Sequence, residues 1–157
     1  MIYRSPYPDV DIPDVSLPEF LFEHAAQYAD KPALIDGPTG RAVTYGQLVE
    51  AVRRTAAGLA ARGFRKGDVF AIYSPNVPEY AVAFLGVATA GGINTTVNPL
   101  YTVDELTRQL VGSRAKLLVT IPEFLDKAKA AATDTAVEEI FVFGEAEGAT
   151  PFTVLSE

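Results

Sequence analysis

The chain has no cysteine and a single histidine, His24, among its 157 residues. Lacking cysteine, it has no disulfides, thiolate nucleophiles or thiolate metal sites, which fits a reducing compartment, with the cytoplasm as the expectation. No spacing ties a particular serine or carboxylate to His24, so this imidazole is expected to be a structural or surface side chain and not a general base. A basic surplus is missing too. The net charge is -7, and such an excess of carboxylates repels nucleic-acid backbones. The densest basic group, Arg53, Arg54, Arg62, Arg65 and Lys66, reads as a solvated helix face and the turn after it. Long apolar runs are absent as well. The longest uncharged stretch, residues 80–103, is interrupted by Gly91, Gly92 and Pro99, and so cannot cross a bilayer as one helix of about 20 apolar residues. Residues 1–6 lack a basic segment followed by an apolar core, so neither a secretory signal nor a membrane anchor is expected.

What is present reads as one folded domain. A hydrophobic share of 48% with 21% charged residues is ordinary for a globular protein, and a chain of this length should bury about 70% of its unfolded surface. Residues 1–15 carry Pro6, Pro8 and Pro13 without helical or strand period, which predicts an extended arm lying over a surface. Asp9, Asp11 and Asp14 in that arm lack the glycine and distal glutamate of a calcium loop and read as solvated carboxylates. Residues 16–157 are expected to form a single α/β domain. Helix starts recur as Ser16 to Glu19, Thr44 to Gln47, Asn76 to Glu79 and Thr102 to Glu105, pairs in which two side chains reciprocally satisfy free backbone donors.

A first helix is predicted over residues 17–28, with Phe20, Leu21 and His24 on neighbouring turns. Two short apolar runs, 33–35 and 42–45, flank a loop with Gly37 and Gly40 and predict a hairpin. That loop lacks a following lysine and a strand-to-helix context, so it is a turn and not a phosphate cradle. A second helix presents Leu48, Val49, Val52, Ala56, Leu59 and Ala60 on one face and stops at Gly63. The segment 66–120 then reads as two successive strand, helix, strand crossovers. Its central helix, 78–90, has no charge after Glu79, as expected of a helix covering a parallel sheet. Leu106 and Leu110 should point inward from the next helix. Phe124, Leu125, Ala128 and Ala132 form one face of a further helix, and residues 140–143 the last strand.

Ligands of open parallel sheets bind at the carboxyl ends of the strands. Here those ends are Ser74, Pro75 and Asn76, and Asn98 and Pro99, none of them an obvious catalytic group. Asn76 reads as a helix cap and Asn98-Pro99 as a strand terminator. If Ser74, Asn76 and Asn98 instead offer hydrogen bonds to a ligand, the chain is a free-standing doubly wound interaction or small-ligand module. A flavin carrier would need a phosphate-binding turn that residues 74–78 do not supply.

The ordered set Asp36-Gly37, Thr44-Tyr45, Gly67-Asp68-Val69, Ser74-Pro75-Asn76, Glu79, residues 83–86, Ala90-Gly91, residues 98–101 and Glu105-Leu106 resembles the opening segment of adenylate-forming acid:CoA ligases. The similarity is greatest to the 4-coumarate:CoA ligase and acyl-CoA synthetase branch and runs from Ser16 onward. It implies the N-terminal part of the large domain, with a partly parallel sheet, helices on both faces and a short β-hairpin. It also implies an ATP-dependent enzyme that forms an acyl adenylate and then an acyl-CoA thioester, using Mg2+ and coenzyme A. The family's Ser/Thr/Gly-rich phosphate loop, its later nucleotide and acyl motifs and its catalytic lysine have no match here. No catalytic, cofactor-binding or metal-binding residue is therefore assigned, no cofactor is expected on this segment, and the chain alone is expected to be inactive. The expected partners are the remainder of a ligase chain and a carboxylic acid, whose identity this segment does not specify. Apolar faces left bare should favour homo-oligomers.

Overall fold

The structure, a computed structural model, describes residues 3–156, so Met1 and Ile2 of the expected arm and Glu157 of the expected domain lie outside the described residues. Residues 3–15 form no helix or strand. Among the described residues of this arm, the side chains of Tyr3, Tyr7, Val10 and Ile12 are exposed. Ser16 then caps α1 (Leu17–Phe22) through a reciprocal pair with Glu19. The predicted helix over 17–28 is shorter than expected: it breaks after Phe22 and resumes only as a 3-10 turn, Ala25–Tyr28. Phe20 and Leu21 remain more than half exposed, so no buried stripe offsets the entropy of a longer helix. His24 is exposed beside Glu23.

The predicted hairpin is present as β1 (Pro32–Ile35) and β2 (Ala42–Thr44), antiparallel, with Ile35 opposite Ala42. Thr44 ends β2 and caps α2 (Tyr45–Ala61): its hydroxyl accepts from the Gln47 amide at 3.2 Å, and the Gln47 side chain accepts from the Thr44 amide at 2.9 Å. Leu48, Val52, Ala56 and Leu59 are buried as their spacing predicts. Ala60 is exposed instead, and the buried set includes Thr55, which faces α3 across Gly86. Gly63 takes a φ of +80°, the left-handed stop that glycine adopts without a Cβ clash.

The rest of the chain builds a five-stranded parallel sheet in the order β4-β3-β5-β6-β7. Its elements are β3 (Val69–Tyr73), α3 (Pro78–Thr89), β4 (Ile93–Val97), α4 (Val103–Ser113), β5 (Leu117–Thr120), α5 (Leu125–Ala132), β6 (Glu139–Val142) and β7 (Thr150–Pro151). Strand β7 was not anticipated, since two residues, one a proline, carry no readable period. Alternation along β3 divides the core. Phe70 and Ile72 join Leu59, Ala83, Val87, Val119 and Phe141 on the face covered by α2 and α3. Ala71 and Tyr73 join Leu106, Leu110, Leu118 and Ala128 on the face covered by α4 and α5. Every strand residue of β5 is buried, which is why its sequence reads as an unbroken apolar run.

Candidate functional site at the ends of β3 and β4

Chain leaving β3 turns into α3 on one face of the sheet, whereas chain leaving the adjacent β4 turns into α4 on the other. Two diverging connections open a crevice at the carboxyl ends of their strands. A cavity of about 460 Å3 lies there, lined by Ser74, Asn76, Tyr80, Thr96, Asn98 and the two prolines Pro75 and Pro99. The structure thus brings together the three polar residues singled out in the sequence, Ser74, Asn76 and Asn98.

Their individual roles differ from one another. Ser74 is 3% exposed, and its hydroxyl donates to the Pro75 carbonyl at 2.8 Å, so it is engaged by its own turn. Asn98 terminates β4 as expected: its side-chain oxygen accepts from the Leu100 amide at 3.0 Å, and its carbonyl accepts from the Tyr101 amide. Asn76 corrects the sequence reading. The residue before α3 is Val77, in an extended conformation and with no side-chain cap, and Asn76 is exposed on the crevice rim. Pro78 removes one free amide from the first turn, and the Tyr80 amide donates to the Val77 carbonyl at 3.0 Å.

Tyr80, Thr96 and Val97 are lining residues that sequence reasoning missed. Burial raises the Tyr80 hydroxyl above the ordinary tyrosine range, partly opposed by a hydrogen bond with Thr96, so it stays protonated and neutral. The signal for it was available, since Tyr80 lies in the first turn of a helix that begins at a strand end. A second divergence, between β3 and β5, is filled. Tyr73 packs 5.2 Å from the Phe124 ring, its hydroxyl donates to the Pro99 carbonyl at 3.2 Å, and Thr120 donates to the Tyr73 carbonyl at 2.8 Å. Lys127 closes this side by donating to the Tyr101 carbonyl at 3.1 Å while lying about 6 Å from both the Tyr73 and Phe124 rings.

The crevice is lined by amides, hydroxyls, proline faces and the aliphatic Val97, with no cation and no carboxylate. That set does not fit a magnesium-bound triphosphate, which requires positive donors around its oxygens and oxyanions on its metal. Among the described residues no three histidine or acidic side chains group as metal ligands. The basic group of the sequence is likewise engaged in part: Arg54 pairs with Glu50 at 2.6 Å and Arg62 with Glu139 at 3.0 Å.

The sequence profile of the family described as AMP-binding enzyme matches residues 21–151. The chain belongs to this family. As an AMP-binding family member it is 44% identical over 129 residues to 4-coumarate--CoA ligase 3 of Arabidopsis thaliana, covering 82% of this chain and 23% of that protein. It is 37% identical over 158 residues to 4-coumarate--CoA ligase 1 of Petroselinum crispum, covering all of this chain and 29% of the relative. The chain therefore spans about a quarter of the length of the curated relatives it matches. A benzoate CoA ligase from Burkholderia xenovorans superposes with a TM-score of 0.82 at 26% identity, over 90% of this chain and 28% of that one. A long-chain-fatty-acid-CoA ligase from Archaeoglobus fulgidus superposes with a TM-score of 0.85 over 98% of this chain and 32% of that one, at 24% identity, a likeness of fold alone. The doubly covered parallel sheet with an appended hairpin is thus the fold that these ligases share with the chain.

Proposed function

We propose that this chain is the N-terminal part of the large domain of an ATP-dependent acid:CoA ligase, an enzyme that joins a carboxylic acid to AMP and then to coenzyme A. The observation that carries the reading is the family match over residues 21–151, together with 44% identity to a 4-coumarate--CoA ligase. Within such an enzyme the segment serves as scaffold. Its strand-end crevice offers only neutral groups, and charge developing on phosphate oxygens needs cationic or metal donors that other parts of a ligase would bring. The acid is of the carboxylate class, and its finer identity belongs to pocket residues outside this segment. Among the described residues no helix is long and apolar enough to cross a membrane. That fact and the absence of cysteine support a cytoplasmic enzyme.

Grafting residues 16–151 in place of the matching segment of a plant 4-coumarate--CoA ligase tests both halves. The chimaera should fold and catalyse acid-dependent exchange of pyrophosphate into ATP, while the 157-residue chain alone should not. Exchange by the isolated chain would overturn the scaffold assignment. A chimaera that folds but neither adenylates nor thioesterifies any acid accepted by the plant enzyme would overturn the ligase assignment.

A further inference from the structure

The function above leaves two oppositely charged parts of the molecule unused. Residues 1–30 hold six carboxylates against one arginine, whereas α2 and the turn after it, residues 45–68, hold five arginines and lysines against Glu50 and Asp68. In the acidic segment, residues 9–14 read Asp-Val-Asp-Ile-Pro-Asp. Pro13 disfavours helical geometry at the preceding Ile12, residues 9–13 are not helical, and successive side chains of an extended chain point to opposite sides. Val10 and Ile12 therefore share one side and Asp9 and Asp11 the other. Val10 is 82% exposed and Ile12 is 89% exposed, so none of the described residues covers that apolar side.

A matching groove lies on α2. A cavity of about 490 Å3 runs between this helix and the 3-10 turn Phe152–Leu155, with Ala57, Gly58, Ala61 and Val154 along it and Arg54 and Arg62 at its rims. Arg53 is also exposed on the same helix. Glu50 and Glu139 partly offset this charge. The Arg54–Glu50 pair, however, is an exposed i,i+4 contact, which costs little to exchange for another carboxylate. Arg62 is held more firmly, bonded to Glu139 and lying 5.6 Å over the Phe141 ring.

We propose that residues 9–14 of one copy dock in the α2 groove of a second copy, with Val10 and Ile12 against the alanine floor and Asp9 and Asp11 toward Arg53 and Arg54. The complementarity lies between two exposed segments of one sequence, so the contact is heterologous and each copy carries both halves. It does not depend on the ligase reading.

Sedimentation velocity of the 157-residue chain over a roughly hundredfold concentration range, at low and high salt, tests it. The expected result is a sedimentation coefficient that rises with concentration at low salt and much less at high salt. Either the arm variant Asp9→Lys/Asp11→Lys or the groove variant Arg53→Glu/Arg54→Glu should weaken association about tenfold or more. Mixing the two variants, each with the wild-type circular dichroism spectrum, should restore a hetero-complex. No concentration dependence overturns the proposal, as does association that neither reversal changes, which would place the contact elsewhere. A salt-sensitive but concentration-independent shift would mean that the arm closes on its own groove, and it overturns the proposal as well.

Discussion

Gly58 sits inside α2 where the 3-10 turn Phe152–Leu155 crosses the helix, and a Cβ built there would lie 2.1 Å from the Leu155 carbonyl oxygen and 2.7 Å from its Cα. Both are backbone atoms, so no rotamer change relieves the clash. Gly58→Ala removes a flexible residue from a helix interior, which by itself stabilises by about 0.5–1 kcal/mol. Overpacking against an unyielding neighbour costs about 1–3 kcal/mol. The turn can yield only by lifting Phe152 and Leu155, which are 5% and 1% exposed and each contribute about 1.5–3 kcal/mol by burial as an upper estimate. The clash wins, and the expected net loss is about 2 kcal/mol. With a urea slope of about 2 kcal/mol/M, the unfolding midpoint falls by about 1 M. Gly112→Ala in α4 is the matched control, because nothing lies within 4 Å of its Cβ position, and it should leave stability unchanged or raise it by up to about 1 kcal/mol. Removing residues 152–157 should reverse the sign of Gly58→Ala, leaving only the helix gain. Equal shifts for the two glycines, or a penalty that survives the truncation, would refute the reasoning.

Three further outcomes follow from local chemistry. Thr102→Ala removes the hydroxyl that accepts from the Glu105 amide at 3.3 Å and should cost about 1 kcal/mol in urea unfolding, whereas Asn76→Ala, which takes away no cap, should stay within about 0.5 kcal/mol of wild type. Asp68 is held below the ordinary aspartate range, first by the Arg65 amide and then by Lys116 at 3.1 Å. A depressed folded-state pKa gives stability that is complete above about pH 4, the unfolded value, and is lost as pH falls through the lower folded value. Asp68→Asn should therefore flatten the acid limb of a stability–pH curve while lowering its neutral plateau, and an unchanged acid limb would sink that assignment. Thr55 is fully buried and its hydroxyl has no partner among the described residues, so the near-isosteric Thr55→Val should raise the thermal midpoint, by about 1 kcal/mol in equilibrium terms. A fall in the midpoint would show that the hydroxyl is satisfied in solution.

The layout of the sheet was legible in the sequence because its signals were strong and redundant. β5 is an unbroken apolar run, α3 lacks charge after Glu79, and reciprocal caps at Ser16, Thr44 and Thr102 all form at the expected helix starts. Asn76 failed for an identifiable reason. An amide three residues before a glutamate has the spacing of a cap, but Val77 takes the boundary position and its carbonyl accepts from the Tyr80 amide. Residues 23–28 failed differently. Periodicity reports which residues would share a helix face, not how much of it is covered, and Phe20 and Leu21 are left more than half exposed among the described residues. β7 and the turn after it depend on tertiary pairing with β6, and short range patterns carry no trace of that pairing.

The crevice shows why fold was easier to read than function. A switch point follows from the order of the strands and the faces to which their helices go, and both are encoded by period and crossover length. The chemistry of such a point follows from individual side chains, and here Ser74 and Asn98 are bound into their own turns while Tyr80 stays protonated. The β3–β5 divergence is plugged outright by Tyr73, Phe124 and Lys127. Ser74 and Asn98, satisfied within their own turns, hold the two strand ends in fixed positions, and the crevice between them is lined by no charged side chain.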